Sequence, residues 1–457
     1  MPRIKKIIVA LICLYIFLIP LQTHWLYDQK LIGGESWQYG ALKIYATELL
    51  FFVILCLTVF YFLKVERAKL RWTFSWPKIT ALVSLLIMCA LNFYFAINQD
   101  IAFYKLTIYI QAIALFFLLF AIRIGFEKIS WMLVLSGGVQ SILAIIQFAS
   151  QKVFASKWLG MAGQCPFILG TPVVETSDGR WLRAFGTFSH PNILAGFLVF
   201  AILCGIYLLI NKGATSTVSG RVKMILASSI ALNSVGLAFT FSRAAIIALV
   251  VALVFLTILF FKKGQCLPVD MGYDLGARRR TNFFLVAIGL IAISFLCVSL
   301  MFPNLIMTRA GGEQRLEVKS NSERIAEYKM APALMKNYWL FGAGAGNYTL
   351  AVEKTNPNQP VFFYQPIHNA ILLEIIEFGV VGILLLIVFV VFLLATTKPW
   401  RRWLDSGLAR RSLGGGGSLP FIIALLLLAF FDHYLSSMYS GILLTTVVGY
   451  LILSPQQ

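Results

Sequence analysis

The sequence predicts an all-α polytopic membrane protein of about twelve transmembrane helices at ~20 residues each, and three observations lead there. Of its 457 residues 59% are hydrophobic and only 12% are charged, whereas a soluble domain carries about 25% charged residues. Apolar runs such as 283–302 and 370–395 reach the ~20 residues that cross a bilayer core. Neither run contains proline, and an unbroken helix is how a chain in hydrocarbon satisfies its own peptide groups. The third observation is where the cations fall. A net charge of +19 would suggest nucleic acid in a soluble protein. Here most lysines and arginines lie in segments that share one side when the N-terminus is cytoplasmic: 3–6, 64–78, 123–128, 212–223, 262–280 and 398–411. That bias orients a membrane protein, so the excess charge is topology and no nucleic-acid partner is expected.

Taken in order, residues 7–21 form an N-terminal anchor. Arg3, Lys5 and Lys6 precede it as in a signal peptide, but no small-residue cleavage site stands before Gln22. Residues 24–43 form an outer loop in which His24, beside Trp25 and Tyr27, belongs to an interfacial aromatic belt. Spans follow at 47–63, 79–97, 106–122 and 129–148. The outer loop 150–191 is irregular, because Pro166, Gly170, Pro172 and Gly179 punctuate it. It ends in Arg180-Trp-Leu-Arg183-Ala-Phe-Gly186-Thr-Phe-Ser-His190-Pro191-Asn192, where Pro191 suits a first helical turn and His190 reads as a helix-start residue. Arg180 and Arg183 read either as snorkelling cations or as ligands for an anion. Spans 193–210, 225–241 and 244–261 come next. Arg243 falls between two apolar runs, where an ionisable side chain needs a named partner. No acidic residue lies within a helical turn of it, so an anionic ligand is expected.

Arg278-Arg-Arg280 reads as a stop-transfer signal. After the ninth span, 303–368 is the longest polar interval between two apolar runs, a large outer loop expected to carry part of a site. Ser320-Asn-Ser322 reads as a helix cap. Ile325, Tyr328, Ala331, Leu334 and Met335 follow at helical spacing, with a kink expected at Pro332, as in an amphipathic helix on the membrane surface. Arg324 and Glu327, three apart, read as an exposed ion pair of small value. Gly342-Ala-Gly344-Ala-Gly346 lacks the Lys-Ser/Thr and the preceding strand of a phosphate loop, and reads as a close-approach turn.

The tenth span opens on His368-Asn369 and carries Glu374 and Glu377 on one face. Two carboxylates in a transmembrane helix are costly, and Arg243 or Arg324 is the expected partner. Residues 397–418 form a cytoplasmic Gly-rich linker to the eleventh span, whose outer end is Asp432-His433, and 441–453 returns the tail to the cytoplasm. The whole reads as one transmembrane domain, 1–457, without internal repeat. Seven cysteines without CxxC spacing indicate neither a disulfide framework nor a zinc site.

An outward site of arginines with one histidine points to a chemistry. Guanidinium forks match phosphate oxygens bidentately and keep their charge, so several of them neutralise a diphosphate leaving group with no metal or other cofactor. Histidine takes a proton from a hydroxyl near neutral pH. Together they suit displacement of a lipid diphosphate from the anomeric carbon of a sugar, with inversion.

These residues also resemble a known family. Arg183…Gly186-Thr-Phe-Ser-His-Pro-Asn192, Phe241-Ser242-Arg243, Arg324 followed by Gly342-Ala-Gly344-Ala-Gly346-Asn347, and His368-Asn369…Glu377-Phe-Gly379 are similar to the O-antigen ligase and polymerase family of bacterial envelopes, over residues 180–382. The resemblance implies a GT-C-type glycosyltransferase fold in the cytoplasmic membrane. It implies a donor glycan on undecaprenyl diphosphate and a glycan, lipid or protein acceptor. It further implies Arg183, Arg243 and Arg324 as diphosphate contacts, with Arg180 competing with Arg183, and His368 as the base. Asn369, Glu377, Glu374, His190 and Asn192 stand as supporting residues. A ligase and a polymerase would share these residues and differ in acceptor. A transporter or flippase would show central charges or broken helices, and the sequence shows cations only at span ends.

Overall fold

A computed structural model describes residues 2–64, 75–214, 218–264, 275–395 and 418–454. The elements in order are α1 (Pro2–Phe17), a hairpin β1 (His24–Ile32) and β2 (Glu35–Tyr45), α2 (Ala46–Lys64), α3 (Trp76–Tyr94), α4 (Gln99–Ile122), α5 (Phe126–Ser150), a second hairpin β3 (Val173–Thr176) and β4 (Gly179–Leu182), α6 (Pro191–Ala214), α7 (Gly220–Phe239), α8 (Arg243–Gly264), α9 (Leu275–Met301), α10 (Pro303–Gly311), α11 (Arg315–Tyr338), α12 (Tyr348–Thr355), α13 (Ala370–Ala395), α14 (Ser418–Phe431), α15 (Tyr434–Ser437) and α16 (Tyr439–Leu453). The protein is thus an all-α polytopic membrane protein in which the strands among the described residues are confined to two hairpins. Among the described residues nine helices, α2–α9 and α13, are long and apolar enough to cross a membrane, while α14 and α16 are shorter apolar helices.

Helix α6 is the hub. Its apolar stretch is 89% buried, against 22% for α3 and α8, and it packs on α5, α7 and α9. Small residues make this possible, as at other helix contacts in lipid: a Cβ on Gly205 would stand 2.9 Å from Ile230, and one on Gly196 would collide with the Tyr434 hydroxyl. The peripheral helices turn Phe52, Leu86, Phe255 and Leu296 outward, as helices facing acyl chains do. Both hairpins, α10–α12 and α15 follow from the same ends of the helices, and together make one loop-bearing face.

Several expectations need correction. Residues 24–43 form most of an antiparallel hairpin, paired from His24↔Tyr45 to Ile32↔Glu35, with register shifts between Leu26/Asp28 and Gln29/Leu31 that interrupt a simple alternation. Helix α11 begins at Arg315, one turn before Ser320, and runs through Pro332 without a break. Its buried stripe is Glu317, Glu327, Ala331 and Leu334, whereas Ile325 and Tyr328 are exposed. Ala331 and Leu334 are buried as expected; the rest of the stripe is charged, which hydrophobicity alone could not show. Residues 397–417 of the linker, and 65–74 and 265–274 of the basic segments, lie outside the described residues.

The run 370–395 is not the unbroken helix its composition suggests. Gly379 stands at φ 63°, ψ 178° and breaks α13. The peptide groups released there are taken by the glycine-punctuated turn. Val380 and Val381 donate to the Trp339 and Leu340 carbonyls at 2.7 and 3.0 Å, and Ala343 and Gly344 donate to the Ile376 and Glu377 carbonyls at 2.9 and 3.0 Å. Irregular backbone is tolerated at membrane depth when other protein groups satisfy it. Only glycine permits the approach: a Cβ on Gly342 would lie 2.2 Å from the Glu377 oxygen, and one on Gly379 2.4 Å from the Gly342 nitrogen. A close-approach turn at 342–346 is therefore what the chain builds.

Candidate functional site

The site is assembled where α11 crosses the start of α13 and the end of α14. Residues 317, 324, 327, 331 and 334 are spaced seven, three, four and three apart, one face of a helix. Leu334 and Ala331 seat α11 in a core with Leu373 and Ile376, and that seating delivers Glu327 to His368. The Glu327 carboxylate accepts the His368 backbone N–H at 2.9 Å and Nδ1 at 2.9 Å. A carboxylate only accepts, so Nδ1 carries the proton and Nε2 keeps its lone pair. Asn369 holds the helix start by accepting from the Leu372 N–H at 2.9 Å.

Two further imidazoles border this one. The His433 ring lies 5.4 Å from that of His368, with its Nδ1 against the Ser437 hydroxyl at 2.6 Å. His190 accepts the Asn192 N–H on Nδ1 at 3.1 Å, the helix-start role read from sequence. Between them runs a relay of polar contacts: Arg183 donates to Asn192 Oδ1 at 2.7 Å, and Asn192 Nδ2 donates to Asp432 at 2.7 Å. Burial pushes His190 down to about 3 and His433 down to about 4, so both stay neutral near pH 7. Burial would also lower His368, yet the Glu327 hydrogen bond and the Asp432 carboxylate outweigh it and raise its pKa above 6.5. Burial would raise Asp432, and the surrounding imidazoles and the Asn192 amide instead hold it below the usual carboxylate range. Of the three rings, only that of His368 is raised rather than lowered by its surroundings, the direction that favours it as the base.

The guanidinium groups differ in how fully they are engaged. Arg309 donates twice to the Phe241 carbonyl, at 3.1 and 2.9 Å, and pairs with Glu317. Arg183 spends Nε on the Thr240 carbonyl at 2.7 Å. Arg243 meets Glu317 at 3.3 Å and Asn321 at 3.2 Å. This corrects the expectation that Arg243 has no acidic partner: Glu317 comes from α11, beyond the reach of local spacing. Arg324 Nε is buried with no hydrogen-bond partner, and the Arg324 charge acts on His368, His433, Arg183 and Arg243. The exposed Arg324–Glu327 pair expected from sequence is absent from the ion pairs among the described residues, because Glu327 turns to His368. Arg243 and Arg309 also line a cavity of ≈ 240 Å³ whose other walls are apolar except for Ser299, among them Ile246, Phe295, Val298 and Ile306.

The structure thus brings together His368, Asn369, Asn192, His190, Arg183, Arg243 and Arg324. Arg180 stands apart in β4, opposite Glu175, which binds Arg315 at 2.9 Å; no contact joins it to His368 among the described residues. Glu374 and Glu377 do not pair with Arg243 or Arg324. Tyr109 donates to Glu374 at 2.6 Å, and the Glu377 carboxylate accepts the Gly346 N–H at 2.6 Å and that of Tyr348 at 3.4 Å. Lys105, one helix away, is buried, with Nζ on the Ser437 carbonyl at 2.6 Å. Buried charge and a broken span are both present, so their supposed absence no longer argues against a transporter. Sequence reading missed Glu327, Asp432, Arg309, Glu317 and Lys105. Lys105 was visible as a lone cation inside an apolar run, a default pointer to function.

Residues 228–387, about a third of the chain, match the O-antigen ligase family, and the matched segment contains Arg243, Arg309, Glu317, Arg324, Glu327 and His368. No curated protein matches the chain. Over that segment the chain is similar to the O-antigen ligase family, and the nine apolar helices among the described residues make it a multi-pass membrane protein.

Proposed function

We propose that this protein transfers a preassembled glycan from undecaprenyl diphosphate to an acceptor hydroxyl at the outer face of the cytoplasmic membrane, without a metal and with inversion. The observation that carries the reading is the apolar cavity bordered by Arg243 and Arg309, together with the half-buried Arg324, whose Nε is buried without a hydrogen-bond partner, and the His368–Glu327 pair. An isoprenoid chain would lie in the cavity and its diphosphate would meet the guanidinium groups. An unpaired buried donor calls for a ligand, and a diphosphate oxygen supplies the acceptor that Arg324 lacks.

In this mechanism Nε2 of His368 takes the proton of the acceptor hydroxyl. The oxygen attacks the anomeric carbon as the bond from that carbon to the diphosphate oxygen breaks; that oxygen leaves with the bonding pair, adding one negative charge to the two the diphosphate already carries, and Arg243 and Arg324 meet the charge of the leaving group. Glu327, already hydrogen-bonded to Nδ1, stabilises the imidazolium that forms, as a carboxylate does for a catalytic histidine. Arg183 is held by Thr240 and Asn192 and acts here by positioning Asp432. The deciding experiment incubates purified protein with a lipid-diphosphate-linked glycan and candidate acceptors, with and without chelator. Transfer that survives chelation supports the reading, and failure of every acceptor to receive glycan refutes it. Comparing glycan chain lengths in cells with and without the gene then separates single transfer from polymerisation.

A further inference from the structure

A second cavity, of ≈ 340 Å³, opens on the loop-bearing face between the β1–β2 hairpin, α4 and the start of α12. Its walls carry phenol rings and polar ends together: Tyr39, Tyr104 and Tyr348 alternate with Gln38, Lys43 and Gln164. Tyr348 is 1% exposed, and its hydroxyl has no hydrogen-bond partner. A buried hydroxyl left unpaired is unfavourable unless an occupant completes it. The cavity adjoins the base: the Tyr39 ring is 6.1 Å from that of His433, which is 5.4 Å from that of His368.

We infer that this cavity is a saccharide pocket for the acceptor, which rests on the transferase reading above. A sugar offers apolar C–H faces to aromatic rings and hydroxyls to amides, a phenol and an ammonium, and so satisfies both kinds of wall. An acyl chain would strand the polar walls. The volume is that of a small-ligand site, which spans about 300–1,000 Å³. The two cavities share no lining residue, so donor and acceptor would occupy separate pockets.

The test uses Tyr348→Phe, which deletes only the unpaired hydroxyl, and Gln38→Ala on the exposed hairpin edge. The probe is the oligosaccharide pool released by mild acid from the envelope of the producing cell. Each variant is expected to raise the acceptor KM about threefold to tenfold, the worth of one hydrogen bond, with kcat and donor KM unchanged and no loss of thermal stability. Direct calorimetric titration of the pool should show the same weakening. Unchanged acceptor KM and unchanged titration in both variants would overturn the pocket while leaving the transferase reading intact. Weakened titration in a protein that transfers to no acceptor would uphold the pocket and remove the transferase reading.

Discussion

Two regions of this molecule hold a buried carboxylate against the same helix, and they do different things with it. At the break in α13, both oxygens of Glu377 are taken by backbone N–H groups of Gly346 and Tyr348, and Asn92 completes the joint by accepting the Ala345 N–H at 2.7 Å and donating to the Glu377 carbonyl at 2.9 Å. None of these backbone partners titrates. At the start of α13, Glu327 holds the His368 backbone and ring instead, and the ring can gain or lose a proton. The first carboxylate fixes a shape and the second sets a basicity. What separates structure from chemistry here is the partner, since both acids are buried and on or beside one helix.

The sharpest way to break that distinction is to remove the ring. His368→Gln should lower transfer about 10²–10⁴-fold, the usual worth of a general base, with donor affinity retained; wild-type turnover by the purified variant would contradict the assignment. Removing the carboxylate is milder. Glu327→Gln keeps a hydrogen-bond acceptor but loses the charge that stabilises the imidazolium, and kcat should fall about 10–100-fold, as for second-layer partners of a functional histidine. Arg324→Lys keeps charge and loses the planar fork. Donor KM should rise about tenfold at constant kcat, measured in steady-state assays; an unchanged donor KM would show that Arg324 meets no phosphate. The smallest catalytic effect belongs to the other region. Asn92→Ala strands a buried N–H and weakens the joint by about 1–3 kcal/mol, which a thermal melt in detergent would read, while kcat per folded molecule stays within about twofold. A large kcat loss there would mean that the break in α13 moves during turnover.

The membrane architecture was legible because burial in lipid is written in composition, and long apolar runs admit few other structures. The helix break was hidden, because Gly379 sits in an otherwise apolar run and its consequence depends on Gly342, 37 residues earlier in the chain and against it in space. His368 and three arginines could be named from short motifs, and the structure brings them together. Their partners could not: Glu317 reaches Arg243 across 74 residues and Asp432 reaches Asn192 across 240, and no local pattern encodes such pairs. Glu327 was misread for a subtler reason. Its three-residue spacing to Arg324 suggested an ion pair, whereas burial of the α11 face turned it toward the histidine.

The most direct measurement of the central claim is the pH dependence of kcat/KM for the wild type and Glu327→Gln. The base acts when His368 is neutral, so activity should rise with pH through a single ionisation above 6.5, because Glu327 and Asp432 raise that pKa. Without the Glu327 charge burial dominates, the pKa falls, and the midpoint should move to lower pH even as the maximal rate drops. An ionisation at the same pH in both proteins would mean that Glu327 does not govern the base, or that His368 is not the base.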